Sequence, residues 1–138
     1  MNKKKLNQAG FTLLELLVVM VILGLLIGYV APNYFNQLGK SEVKVAKAQV
    51  NALAKALDAY RLDNGHYPSQ DAGLNALNTQ PIDEPNWHGP YLQKNIPLDP
   101  WGHTYIYRIP GDKSEYDLFS YGKDGKSGGA NEDADIYN

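Results

Sequence analysis

Gly10-Phe11-Thr12-Leu13-Leu14-Glu15 opens an apolar run in which no residue from Leu16 to Ala31 is charged. Lys3, Lys4 and Lys5 precede it, and Glu15 sits just inside its N-terminal edge. As a helix rising about 1.5 Å per residue, Phe11 to Ala31 is long enough to span a hydrocarbon core of about 30 Å. Lysines on the N-terminal side are expected to hold that end in the cytoplasm and to place the rest of the chain outside. A cleavable secretory signal fits the charged start. It fits the end poorly, because Gly28-Tyr29-Val30-Ala31-Pro32 is a weak small-x-small cleavage site and the run is long. A plain membrane anchor fits the length but leaves Glu15 unexplained. A carboxylate inside a membrane helix costs on the order of 2.5–3.5 kcal/mol on insertion scales, less near the interface, so Glu15 calls for a partner.

The remainder is a different material. Mean hydropathy over the 138 residues is −0.41 despite the apolar start. The formal net charge of −2 offers no concentrated basic surface, so a nucleic-acid partner is not expected. There is no cysteine, which excludes disulfide staples and thiol chemistry. About 100 residues follow the apolar segment, enough for one modest core. A small domain without disulfides needs another constraint, and a bound metal is one candidate.

Beyond the run, Gly24, Gly28 and Pro32 weaken the helix. Pro32 lacks an N–H and its ring crowds the carbonyl four residues back, so Gly24 and Pro32 mark an expected kink or break. Val43, Ala46, Val50, Leu53, Leu57 and Tyr60 then recur at steps of three and four, an amphipathic helical stripe that Asp63-Asn64-Gly65 ends. Ser69 is positioned to cap a short helix over 71–77. Prolines and glycines from Pro81 to Pro90 read as loop, with Tyr91-Leu92 opening a short extended piece. Asp99-Pro100-Trp101-Gly102 reads as a tight turn. Residues 105–109 and 115–120 read as two strands joined through Pro110-Gly111-Asp112. The expected fold class is α+β, a long N-terminal helix packed on a small antiparallel sheet.

The acidic C-terminal loop, Asp124 to Asp135, is rich in glycine and carries four acids. A solvated tail is the common reading of such a composition. A calcium loop is the sharper one, since calcium takes about 6–8 oxygen ligands and glycines let a short chain close around an ion. The spacing is not that of an EF-hand: the third and fifth positions from Asp124 are Lys126 and Gly128. Catalysis finds no support. There is no Cys nucleophile, no Gly-x-Ser-x-Gly elbow and no phosphate-cradling glycine loop. His66, His88 and His103 have no metal-like spacing and read as surface or packing residues. The ten tyrosines suit core packing and subunit contact, and Lys40, Lys44 and Lys47 a solvated helix side.

A lysine-rich leader, Gly10, then Phe-Thr-Leu-Leu-Glu resembles the signal of type IV pilins and pseudopilins. The ordered set Leu62-Asp63-Asn64-Gly65-His66-Tyr67-Pro68, Gly73-Leu74, Gly89-Pro90-Tyr91-Leu92, Asp99-Pro100-Trp101-Gly102, Asp117-Leu118-Phe119-Ser120 and Asp124-Gly125 is similar to the major pseudopilins of type II secretion. The segment from Gly65 to Trp101 matches that pattern least closely. The resemblance implies a type IV pilin-like organisation: a cytoplasmic leader at 1–10, a transmembrane half of the long helix at 11–33, its periplasmic half at 34–64, and a globular α+β region with a calcium loop at 65–138. It implies cleavage between Gly10 and Phe11 by prepilin peptidase, methylation of the Phe11 amine, and pairing of Glu15 with the N-terminus of a neighbouring subunit. It also implies Ca2+ held by the side chains of Asp124, Asp133 and Asp135 and backbone oxygens of Tyr121 and Lys126, with Ser127 a further candidate and Glu132 facing solvent.

The function so implied is that of a non-enzymatic filament subunit. It starts in the bacterial inner membrane, its domain periplasmic, and then polymerises with copies of itself and with minor pseudopilins on an inner-membrane assembly platform. The resulting pseudopilus drives folded proteins across the outer membrane. A type IV pilin or competence pseudopilin is the nearest alternative. Many such pilins close the C-terminal region with a disulfide, which this chain cannot form. A membrane-anchored periplasmic binding module, needing no cleavage at Gly10, is the alternative from another class.

Overall fold

A computed structural model describes residues 9–138. The lysines of the expected leader lie outside the described residues, as does all of that leader but Ala9 and Gly10. One α-helix, α1, runs Leu13–Asn64. Three short strands follow: β1 (Ile106–Arg108), β2 (Asp117–Ser120) and β3 (Ile136–Tyr137), in the spatial order β1-β2-β3. Both pairings are antiparallel. Tyr107 stands opposite Leu118, and Ser120 opposite Ile136. The chain divides into two compact units, the first ending at Leu38 and the second comprising Gly39–Asn138.

In the first unit α1 is apolar on every side, with hydropathy and length sufficient to cross a membrane. Leu13, Leu25 and Tyr34 are 80%, 71% and 63% exposed, so no protein surface covers any face of this segment among the described residues. A helix apolar all round needs lipid or other helices about it. The helix is not broken there, since α1 is uninterrupted through Gly24 and Pro32. Loss of one backbone bond at Pro32 leaves the helix continuous, as membrane-type helices tolerate.

In the second unit the stripe read from the sequence is the buried face of α1. Ala46, Val50, Leu53, Leu57 and Tyr60 are at most 1% exposed, and Val43 packs at the edge of the same core. Leu77, Tyr107 and Leu118 complete that core. The helix stops at Asn64, where Gly65 takes a φ of +82° and donates its N–H to the Arg61 carbonyl at 2.7 Å. The expected short helix is a single 3-10 turn, Gly73–Leu77, preceded by the Ser69 hydroxyl accepting from the Ala72 N–H at 3.3 Å. Tyr91-Leu92 is not a strand. Its one cross-chain backbone bond, Tyr91 N–H to the Leu77 carbonyl at 2.7 Å, pins a loop instead.

The strands at 106–108 and 117–120 lie within the predicted ranges, and β3 is an addition. Phe119, on the face of β2 away from the core, is nonetheless 2% exposed. Tyr137, Tyr121 and the Arg108 guanidinium cover it, with centroid distances of 4.8, 5.1 and 5.6 Å. The outer edge of β1 is closed by Gln70. Its side-chain amide donates to the Tyr107 carbonyl at 3.1 Å and accepts from the Ile109 N–H at 2.9 Å, standing in for a fourth strand.

Candidate functional site

Two places concentrate the chemistry. The first is the entry to α1. The Thr12 hydroxyl accepts from the Glu15 N–H at 3.2 Å, and the Glu15 carboxylate accepts from the Thr12 N–H at 2.8 Å. This is a capping box, two orphan N–H groups satisfied reciprocally by the Thr-x-x-Glu spacing. Glu15 thus has a local partner that the sequence reading did not assign, although the spacing itself carries the signal. Gly10 and Phe11 are exposed beside it, Phe11 at 85%. The scissile bond expected there is accessible.

The second place is the acidic loop, whose two ends are clamped together. The Lys123 N–H donates to the Glu132 carbonyl at 2.9 Å, and Lys123 Nζ donates to Glu132 Oε2 at 2.9 Å. Gly122, with φ of +74°, lies so close to the returning chain that a Cβ would stand 2.8 Å from the Glu132 and Ala134 carbonyl oxygens. Only glycine fits that backbone and that gap. Glu132 does not face solvent as expected. Its side chain is 28% exposed, and it occupies the space beside Gly39 of α1, where any added methyl would overlap the carboxylate. The Lys123 ammonium is held above the usual lysine range by its bond to Glu132 and then by that residue's charge.

The predicted ligands fall on this loop in two groups. Asp124 and Asp133 line one hollow of about 440 Å3 together with Asn131. Asp135 lies apart from that lining, and both its carboxylate oxygens accept from the Gly128 N–H at 3.1 Å. Asp124 accepts from the Lys126 N–H at 3.1 Å. Tyr121 is half-buried against Phe119, while Lys126 and Ser127 are exposed. Among the described residues no three His, Cys, Asp or Glu side chains converge on one point. The donor set is nonetheless all oxygen, from carboxylates and a glycine-rich backbone, with neither sulfur nor imidazole. That chemistry fits a hard cation such as calcium, which draws several of its ligands from carbonyls.

Beneath the loop lies a polar knot that the sequence reading treated only as a turn. Gly102 N–H donates to the Asp99 carbonyl at 3.0 Å, as the turn requires. The Asp99 side chain is buried. It accepts from the N–H groups of Trp101 and His103 at 3.1 and 2.8 Å and from the Ser120 hydroxyl at 2.6 Å. Ser120 Oγ in turn accepts from the Gly122 N–H at 3.1 Å. The serine donates to the aspartate rather than to His103, so this is not the arrangement of a nucleophilic triad. Trp101 reaches α1 directly, its indole N–H donating to Glu42 at 3.0 Å.

Comparison with known proteins bears on both places. The profile of a prokaryotic N-terminal methylation motif matches residues 5–31. The profile of the type II secretion system (T2SS) protein G matches residues 33–138. The chain belongs to the type II secretion system protein G family. Its relatives in that family include the type II secretion system core protein G of Pseudomonas aeruginosa, 47% identical over 135 residues, covering 96% of this chain and 95% of the relative. The core protein G of Vibrio cholerae is 48% identical over 139 residues, covering 99% and 94%. Among solved structures, the major pseudopilin of the type 2 secretion system of enterohaemorrhagic Escherichia coli is similar, with a TM-score of 0.62 and 35% identity, covering 78% of this chain and 94% of that one. Within the protein G family the chain is a pseudopilin with the long-helix and three-stranded-sheet fold, which settles the choice among the readings left open by the sequence.

Proposed function

We propose that this chain is made as an inner-membrane precursor with its N-terminus cytoplasmic and its second unit periplasmic, and then becomes the repeating subunit of a type II secretion pseudopilus. The observation that carries this is the first unit. It is a helix of membrane length, apolar on every face, opening on an acid and the short accessible segment Gly10-Phe11. Hydrolysis of the Gly10–Phe11 bond by prepilin peptidase leaves a free amine on Phe11, which methylation keeps cationic. Glu15 lies one helical turn from that end. Its capping box contributes about 0.5–2 kcal/mol. The insertion cost of a carboxylate is about 2.5–3.5 kcal/mol at the centre of a membrane helix and less near its edge, where Glu15 sits. A neighbour's amine in the low-dielectric layer would neutralise the charge that the local bonds leave on Glu15. Only subunits stepped correctly along the filament bring the two charges together.

In this reading the chain catalyses nothing. Prepilin peptidase, minor pseudopilins and an inner-membrane platform act on it or beside it, and the work of assembly comes from outside it. The helix, continuous here through Gly24 and Pro32, loosens in that region once packed in the filament. In the second unit the acidic loop binds Ca2+ through Asp124, Asp133 and Asp135, with backbone oxygens of Tyr121 and Lys126 and with Ser127 as a further candidate. The ion would tie the glycine-rich loop against the sheet in a domain without disulfides.

The test is assembly of Glu15→Leu alongside wild type, in cells supplying the peptidase and the platform. Both proteins should insert in the membrane, since leucine is the more apolar side chain. Filaments sheared from the cells should fall by an order of magnitude or more for the variant. Undiminished filaments from Glu15→Leu would remove the role given to this carboxylate.

A further inference from the structure

The acidic loop touches α1 at one buried glycine. At Gly39, the first residue of the second unit, the helix has no side chain, and the Glu132 carboxylate fills the vacant space. Lys123 holds the other oxygen of that carboxylate at 2.9 Å, and the Lys123 and Glu132 backbones are bonded to each other as well. A second connection reaches the next turn of the same helix. The Gly122 N–H bonds Ser120, Ser120 bonds Asp99, the Asp99 side chain holds the Trp101 N–H, and the Trp101 indole bonds Glu42. Both ends of the loop thereby reach residues 39–42, one by contact at Gly39 and the other through the hydrogen bond to Glu42. Immediately beyond, Ala46 begins the fully buried stripe.

We propose that Glu132 and Lys123 are positioning residues that seat the acidic loop on α1 at Gly39, so that order in the loop and order in helix residues 40–46 are coupled. A carboxylate lying on helix backbone excludes water from that turn and limits its opening. When the loop swings away, the turn loses its cover and the upper end of the buried stripe frays. The coupling runs through protein groups alone and does not depend on whether the loop holds a cation.

Hydrogen–deuterium exchange on the full chain in detergent micelles tests this, comparing wild type with Glu132→Gln, Gly39→Ala and the charge-swapped pair Lys123→Glu with Glu132→Lys. By helix propensity alone, Gly39→Ala should slow exchange in the helix. The seat predicts the opposite sign, with amides of 40–46 and of 122–135 exchanging together, severalfold faster than wild type. Glu132→Gln should do the same more mildly, and the swapped pair should recover part of the protection. Unchanged exchange across Leu118–Phe119 controls for loss of the fold. Faster exchange confined to 122–135, or slower exchange at 40–46 in Gly39→Ala, would overturn the proposal. Running each protein in calcium and in chelator separates the two ideas. Calcium protection of the loop with variants that leave 40–46 untouched sinks the seat and keeps the cation. Variants that loosen both segments with no effect of calcium keep the seat and sink the cation.

Discussion

At Asp124 a single carboxylate distinguishes a solvated tail from a cation site. It is exposed, it shares a hollow with Asp133, and its one hydrogen bond, to the Lys126 N–H, also shapes the loop. A cation bound only by the folded protein adds stability as RT ln(1 + [L]/Kd), about 2.7 kcal/mol at about 100 times Kd. For a unit of about 100 residues that corresponds to a Tm higher by roughly 10–20 °C. The expected result is a Tm that rises with calcium in wild type and stays flat in Asp124→Ala. Identical calcium-dependent shifts in the two proteins would show that Asp124 is not a ligand. Single residues were unevenly legible in the sequence. The Thr12-x-x-Glu15 spacing carries its own capping signature because the partners are three apart. The seat of Glu132 carries none, because the gap it fills is the absence of a side chain at Gly39, far away in the chain. Asp99 could be read as a turn former, but its burial against Ser120 depends on how two distant segments pack.

Among the elements, the helical stripe was readable because its period is sustained over five turns, and a long amphipathic pattern tolerates the loss of any one position. The strands were harder in proportion to their shortness. β3 is two residues long, too short for any alternation, and lies at the end of an acidic segment whose composition resembles loop. The short helix at 73–77 followed the same rule: five residues give too little periodicity to tell a 3-10 turn from an α-helix. Tyrosines join these elements. Tyr105 bonds Gln49 of α1 at 2.5 Å, Tyr107 bonds the Pro68 carbonyl at 2.8 Å, and Tyr116 packs edge-on against Tyr67 with centroids 4.6 Å apart. Burial first, and then the charge of Asp99 or of Asp58, pushes the Tyr105 and Tyr116 hydroxyls up to about 12 from 10.0. Burial pushes Tyr60 and Tyr107 higher still, with the Glu84 carboxylate adding at Tyr60 and Tyr116 at Tyr107. These phenols keep their protons in the folded state at a pH where an unfolded chain loses them. Their contribution to stability is complete below about pH 10 and is lost as pH rises through about 12. Thermal melts should show Tm falling steeply above pH 10, with the last four tyrosines to ionise doing so in step with unfolding. Gradual ionisation of the same tyrosines in a protein that stays folded would contradict their burial.

Among the described residues two materials share one helix, an apolar half that no protein surface covers and a half that carries a domain. The exposed half needs lipid or other helices about it, and the proposed cleavage after Gly10 would mark its passage from the one to the other. The leader is expected from the sequence because charge, glycine and apolar run stand side by side. The packing of copies is not, since it depends on surfaces that one chain does not place together. Cleavage is therefore the point at which the account is most exposed. Intact-mass and N-terminal peptide mass spectrometry of the protein extracted from membranes that contain the peptidase reads it directly. The account predicts a chain that begins at Phe11 and carries one methyl group on its amine. A chain that retains Met1 to Gly10, or one cut near Ala31, would contradict it.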